Sequence, residues 1–295
     1  MTLGLRIDVD TFRGTRDGVP ALCRLMARRG LRASFFFCVG PDNMGRRLLR
    51  FWRPRFAAKM WRSRARRLYG WSILSRGLLG NGPLIGKRLG QIIKDCLAEG
   101  HEIGLHAWDH SGWQSHALKS SGARFLRDDL RRGFEELERV TGHPPDCSAA
   151  PAWLCTPESL LLKETFPFRF NSDCRGTFVF RPALPDGRLL SQPQAPTTLP
   201  VYDEVIGIDG LADSDYNDYL VSRLRPGRLN VLTAHAEVEG ICKLELFEDF
   251  LDRMATLGWT IEPLGVVVGP MTDLPAARVE LRALRGRDDV VAFQV

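Results

Sequence analysis

The sequence predicts an α/β fold on a parallel sheet, either a (β/α) barrel or a doubly wound sheet. Strand-like and helix-like segments alternate from residue 3 to residue 261. Phe35-Phe36-Phe37-Cys38-Val39 is a continuous apolar run of the kind shown by strands buried on both faces. Asp8 and Asp10, His106, Asp173 and His235 each fall at the end of a strand-like run, the rim where parallel barrels build their sites. At 295 residues the chain is long enough for one barrel as a single domain.

Leu3 to Val9 reads as the first strand. Asp17 to Arg29 follows as a helix, with Val19, Leu22, Leu25 and Met26 at helical spacing and Gly30 as its stop. Arg32 to Val39 is the second strand, Ile92 to Ala98 a helix, and Glu102 to Leu105 a short strand leading into His106. Ala123 to Val140 is a long amphipathic helix, ended by Gly142 and the Pro144-Pro145 break. Phe168 to Phe170 and Leu229 to Thr233 are further strands, the second leading into His235. Between them, Pro182 to Pro200 is rich in Pro, Gly and Gln and reads as a loop. Glu245 to Leu257 is the last helix and Trp259 to Ile261 the last strand. The expected domain therefore covers residues 1–265, and the order of a tail at 266–295 stays open.

A composition of 44% hydrophobic and 26% charged residues excludes a disordered or fibrous chain. The net charge of +6 is concentrated in one place. Residues 44–90 hold 13 Lys/Arg and no Asp or Glu, while the rest of the chain has 28 basic against 35 acidic residues. That stretch is read as an insertion. The seven cysteines are scattered without a Cys-x-x-Cys pair and are expected to be reduced and mostly buried, as in a cytosolic protein. No apolar stretch reaches the roughly 18 residues of a spanning helix, and the first residues lack a secretory apolar region.

His106-Ala-Trp-Asp-His110 places two imidazoles where they can share one ion if the backbone turns suitably. A carboxylate then completes a two-His-one-carboxylate set with open positions for water and substrate. Asp8 and Asp10, two apart in a strand, project from the same face. One can bind the ion while the other acts as a base, although an Asp pair at a loop start can also cap a turn. Two like charges so placed repel unless a cation or a shared proton relieves them. His235 can donate a proton to a leaving nitrogen, the alternative being a satisfied buried histidine. Asp173 can orient that imidazole or serve loop hydrogen bonding. His101, His116 and His143 have no comparable setting and are read as surface or core residues.

In this order the motifs resemble the polysaccharide deacetylase (NodB-homology, carbohydrate esterase) family, whose fold is a distorted (β/α) barrel. The resemblance implies that Asp8 is the base, that Asp10, His106 and His110 bind the metal, and that His235 is the general acid. Longer blocks, among them Gly4 to Arg16, Val39 to Gly45, Gly104 to His110, Asn171 to Gly176 and His235 to Gly240, are similar to one branch of it. Members of that branch deformylate a 4-formamido-arabinose carried on undecaprenyl phosphate, for lipid A modification and resistance to cationic peptides such as polymyxin. The resemblance ends near residue 265. One departure stands out: the family's third motif carries an Arg that tunes the base, whereas Ser148-Ala-Ala-Pro-Ala-Trp153 has none. Arg175 and Arg6 are the candidate replacements.

The expected function is thus a metal-dependent deformylase using one divalent transition metal ion, with Zn, Co, Ni, Mn and Fe all suited to the ligands. The alternatives are an N-acetyl-sugar deacetylase and a non-enzymatic lipid-linked-sugar binding protein. In the basic insertion, Arg46, Arg47, Arg50 and Arg53 interleave with aromatics such as Trp52 and Trp61. A partly helical segment of this kind suits an anionic membrane surface and lipid phosphates. Single-stranded nucleic acid and a solvated loop are the competing readings. The lipid-linked substrate favours the membrane, so the protein is expected to be peripheral on the cytoplasmic face of the inner membrane, with no nucleic-acid partner.

Overall fold

The computed structural model describes residues 1–46, 80–269 and 273–295. Strands β1 (Thr2–Val9), β2 (Ser34–Cys38), β3 (Glu102–Ala107), β4 (Cys147–Ser148) and β5 (Phe170–Asn171) pair in sequence order. The short strand β6 (Arg181–Pro182) lies outside this sheet, and β7 (Val231–His235) and β8 (Thr260–Glu262) close its other side. Every pairing in the seven-stranded sheet is parallel. β1 is central: β2 lies on one edge, while β7 pairs with Gly4 to Asp8 and β8 with Thr2 to Gly4 on the other. The result is an open, distorted barrel.

The helices cover the outer face as the alternation predicts. Among the described residues, the α-helices of seven residues or more are α1 (Val19–Ala27), α2 (Ile85–Ala98), α3 (His110–His116), α4 (Ala123–Thr141), α5 (Pro157–Lys163), α6 (Asp213–Arg223) and α7 (Leu244–Thr256). In β1, Leu3, Leu5, Ile7 and Val9 are fully buried in the main core together with Leu22, Leu25 and Met26 of α1. Each such side chain contributes about 1.5–3 kcal/mol on burial. The alternate face carries Gly4, Arg6 and Asp8, which the strand period turns towards the interior of the barrel. α4 stops at Gly142, whose φ of 80° is the left-handed conformation that ends helices and that glycine adopts without strain.

Three boundaries differ from expectation. α2 starts at Ile85, a core residue, so the last part of the stretch read as an insertion at 44–90 belongs to a barrel helix. The helix expected at Asp17 to Arg29 is divided into a π-helical turn (Gly14–Gly18) and α1. His106 and His235 lie within the ends of β3 and β7 instead of following them. The tail is ordered in its described part: β9 (Ala276–Ala277) pairs β6, and β10 (Val279–Ala283) and β11 (Val290–Gln294) form an antiparallel hairpin. The hairpin docks by backbone hydrogen bonds from Arg175 to Ala292 and from Gln294 to Arg175.

Candidate metal and catalytic site

The carboxyl ends of β1, β3 and β7 bring four of the expected residues together with His110, the first residue of α3. A donor atom from each of Asp10, His106 and His110 lies within 4.8 Å of the others. His106 Nε2 is 3.3 Å from Asp10 Oδ1, and His110 Nε2 is 3.3 Å from Asp10 Oδ2. Two ligands about 2.1 Å from one ion at tetrahedral angles stand roughly 3.4 Å apart, so this spacing suits a shared cation. Asp10 Oδ1 and His106 Nδ1 are buried without a hydrogen-bond partner. Unsatisfied buried polar atoms are rare, and a metal ligand set explains one at Asp10 Oδ1. The residues present fit a divalent transition metal ion.

Asp8 stands beside this cluster, 3.9 Å from His106 Nε2, with only 2% of its side chain exposed. Burial would raise its pKa, but the Arg6 guanidinium and the nearby imidazoles hold the carboxyl below the usual range. Arg6 Nε donates to Asp8 Oδ1 and Nη2 to Oδ2, both at 2.7 Å, a two-pronged ion pair made possible by the same-face i,i+2 spacing in β1. Arg6 also donates to the Ser172 carbonyl and hydroxyl. Of the two candidate arginines, Arg6 is the one that meets Asp8. Arg175, the other candidate, is committed to Glu204 at 2.5 and 2.6 Å.

That third motif has a different task. Ala152 and Trp153 adopt φ of 55° and 54°, a left-handed conformation costly for residues with a Cβ. The turn points Trp153 at a set of guanidiniums, with Arg6, Arg175 and Arg287 carbons 5.1, 4.1 and 4.6 Å from its ring centre. Arg287, from the C-terminal hairpin, also donates to Glu204 at 2.5 Å. The tail thus reaches the residues that stack around Arg6.

His235 is the register partner of Asp8 across β1 and β7. Its burial disfavours the imidazolium, but Asp10, Asp8, Asp203 and Glu239 outweigh this and raise its pKa. These carboxylates favour the protonated imidazole beside Asp8. Its backbone N–H donates to Glu239 Oε2. Asp173 does not hold this imidazole. Its oxygens accept from Lys163 Nζ, the Ala150 amide and Gln194, the loop hydrogen-bonding alternative raised by the sequence. Arg46 lies in the described part of the basic stretch, donating to the Gly80 carbonyl and to Asn81. Arg47, Arg50, Trp52, Arg53 and Trp61 lie outside the described residues.

Several positioning residues escaped the sequence reading. Glu237 Oε1 accepts from the amides of Asp10 and Thr11 and from the Thr11 hydroxyl, clamping the loop that presents Asp10. The approach is so close that a Cβ on Gly14 would stand 1.9 Å from that oxygen. Burial and the nearby Asp10 raise the Glu237 pKa to about 8. Its position two residues beyond His235 was the available signal. Asp129 of α4 accepts from the amides of Trp108 and Asp109, fixing the loop between the two metal-site histidines. Asp109 caps α3 through Gly112 and accepts from Asn43. Asn43 in turn accepts from Gly82, and Pro41 bridges Leu84, so the described residues flanking the basic stretch meet in a narrow neck beside His110.

Residues 7–168 match the polysaccharide deacetylase family. A Shewanella sediminis protein named "Probable 4-deoxy-4-formamido-L-arabinose-phosphoundecaprenol deformylase ArnD" is 51% identical over 249 residues, covering 84% of this chain and 80% of that protein. A Wigglesworthia glossinidia brevipalpis protein of the same name is 37% identical over 285 residues, covering 95% and 98%. A solved structure from Mycobacterium smegmatis, classed as a polysaccharide deacetylase, superposes with a TM-score of 0.59 at 17% identity, covering 90% of this chain and 88% of that one. At that identity it bears on the fold alone. On these matches the chain belongs to the polysaccharide deacetylase family.

Proposed function

We propose that the protein hydrolyses the formamide of a 4-deoxy-4-formamido-L-arabinose carried on undecaprenyl phosphate, giving formate and the free 4-amino sugar lipid. The observation that carries this reading is the pairing of a complete hydrolytic site with two curated relatives, both named for that reaction and together spanning most of the chain. Asp10, His106 and His110 would hold one divalent ion, Zn, Co, Ni, Mn or Fe, which when bound polarises the formyl oxygen and acidifies water.

The remaining chemistry falls to the chain's own side chains. Asp8, kept ionised by Arg6, takes the proton of the water that attacks the formyl carbon. His235 gives a proton to the departing amine nitrogen as the carbon–nitrogen bond breaks. Such positioned proton transfers contribute typically about 10² to 10⁴ in rate. The product amine is cationic at neutral pH, which lowers the negative charge of whatever acceptor later receives the sugar.

The basic stretch supports a peripheral position on the anionic, cytoplasmic face of the inner membrane. Its neck stands beside His110, so a lipid-anchored sugar phosphate and the site are served from one rim. Among the described residues, no helix is long and apolar enough to cross a membrane. The test is incubation of the purified, metal-loaded protein with the lipid-linked formamido sugar, followed by measurement of formate and free amine. Release that is lost in Asp8→Asn and on chelation, and recovered on metal add-back, supports the reading. Release unaffected by Asp8→Asn contradicts it.

A further inference from the structure

Away from this site, at the opposite end of the sheet, lies a buried cluster that the proposed hydrolysis does not use. Cys23 on α1, Cys96 near the end of α2 and His101 just before β3 place two sulfurs and an imidazole nitrogen within 4.8 Å of one another. The three residues are 4%, 1% and 4% exposed. His106 is five residues further along the chain, roughly 16 Å in an extended strand, so the cluster is separate from the metal site.

The histidine decides what the cluster can do. His101 Nδ1 accepts the Ala33 amide at 3.2 Å, so in the neutral ring Nε2 carries the proton. An ion bound at Nε2 would need that proton removed, and an ion bound at Nδ1 would strip Ala33 of its acceptor. The donor set therefore does not suit a resident metal. It suits thiol chemistry: the Cys23 and Cys96 sulfurs lie within 4.8 Å of each other, and the neighbouring thiol and imidazole outweigh burial and lower the Cys23 pKa to about 6. Cys96 is pushed well up, chiefly by burial. Two thiols this close can close to a disulfide, and at 4% and 1% exposure the oxidant that reaches them has to be as small as hydrogen peroxide. The other fully buried cysteines, Cys38, Cys147, Cys155 and Cys174, are all pushed up by burial and are poorer nucleophiles.

We propose that Cys23 and Cys96 form a peroxide-sensitive dithiol that closes to a disulfide joining α1 to α2. The Cys23 thiolate attacks hydrogen peroxide, an S–O bond forms, the O–O bond breaks, and the departing hydroxide leaves as water after taking a proton. Cys96 then gives up its proton and attacks the Cys23 sulfur. The S–S bond forms, the S–O bond breaks, and hydroxide with the Cys96 proton leaves as a second water. Two thiols are oxidised and one peroxide is reduced to two waters. Because α2 carries the chain back from the basic stretch, the bridge would close a covalent loop around that stretch and its neck.

The experiment treats the folded full-length protein with a few equivalents of hydrogen peroxide, alkylates it after denaturation and maps the peptides by mass spectrometry. The expected result is a linked Cys23–Cys96 peptide pair and a loss of about 2 Da, both reversed by dithiothreitol. Cys96→Ser should stop at a Cys23 sulfenic acid that dimedone traps, and Cys23→Ser should give neither product. Wild-type protein in which both thiols stay alkylatable while Cys242 oxidises would overturn the proposal, as would linkage of other cysteines. So would a Zn²⁺ equivalent that binds in addition to the first site and is lost in Cys23→Ser.

Discussion

Replacing Arg6 tests how the site keeps Asp8, the proposed base, ionised without an arginine in the third motif. The guanidinium is fully buried and meets Asp8 through two 2.7 Å hydrogen bonds. Arg6→Met removes the charge and the fork while keeping much of the volume. Asp8, 2% exposed, is then left as a buried carboxylate without its main partner. Breaking a buried pair from one side costs about 3–5 kcal/mol, because the remaining charge is uncompensated. Asp8→Asn in the same background removes that charge, so the double variant should recover about 2 kcal/mol or more of coupling. Equilibrium urea unfolding of the four proteins in the cycle measures this, with intact-mass spectra confirming that the introduced amide has not hydrolysed back to the acid. Turnover of Arg6→Met should fall by about 10²-fold, the scale of losing a positioned base. An Arg6→Met stability within about 0.5 kcal/mol of wild type, or additive effects across the cycle, would refute the reasoning.

Three further outcomes follow from other parts of the site. Glu237→Ala should weaken Zn²⁺ or Co²⁺ binding, read by competition with a chelator, by about 10- to 100-fold, whereas Glu237→Gln, which keeps an accepting oxygen for the Asp10 and Thr11 amides, should stay close to wild type. Burial raises the Glu239 pKa to about 7, so the folded protein keeps a proton that the unfolded chain loses above about 4.5. Stability should therefore fall as pH rises from 4.5 to 7, and Glu239→Gln should flatten that slope by at most about 3 kcal/mol, with no difference below pH 4.5. Replacing residues 47–79 by a short Gly/Ser linker across the Pro41–Leu84 neck should abolish flotation with anionic vesicles while cooperative thermal unfolding persists; unchanged flotation would count against the membrane role.

The legible parts of this protein are those where one short segment carries the physics. β1 announces itself by alternation, and the same period places Asp8 and Arg6 on one face. The apolar run at Phe35 to Phe37 is of the kind shown by strands buried on both faces, and β2 is that strand. His106 and His110 advertise a metal pair through local spacing, and the structure brings Asp10 to both. What stayed hidden depends on distant contacts. Asp173 lies at a strand end like the other site residues, but Lys163 and Gln194, 10 and 21 residues away, claim its oxygens. Trp153 could not be foreseen as a stacking platform, because its backbone adopts a conformation that no local sequence preference favours. The tail lacks strong periodicity, and its order comes from docking on Arg175 and Glu204 instead of from its own pattern.

The central claim is that this family site is set for a formamide on a lipid-linked sugar. The most direct measurement is kcat/KM for formate release from the undecaprenyl-phosphate formamido sugar against acetate release from its acetamido counterpart, with the same metal-loaded preparation. The account predicts efficient turnover of the formamido lipid and a much lower rate for the acetamido lipid. Equal rates for the two, or turnover of a soluble N-acetyl glycan in preference to either, would contradict it.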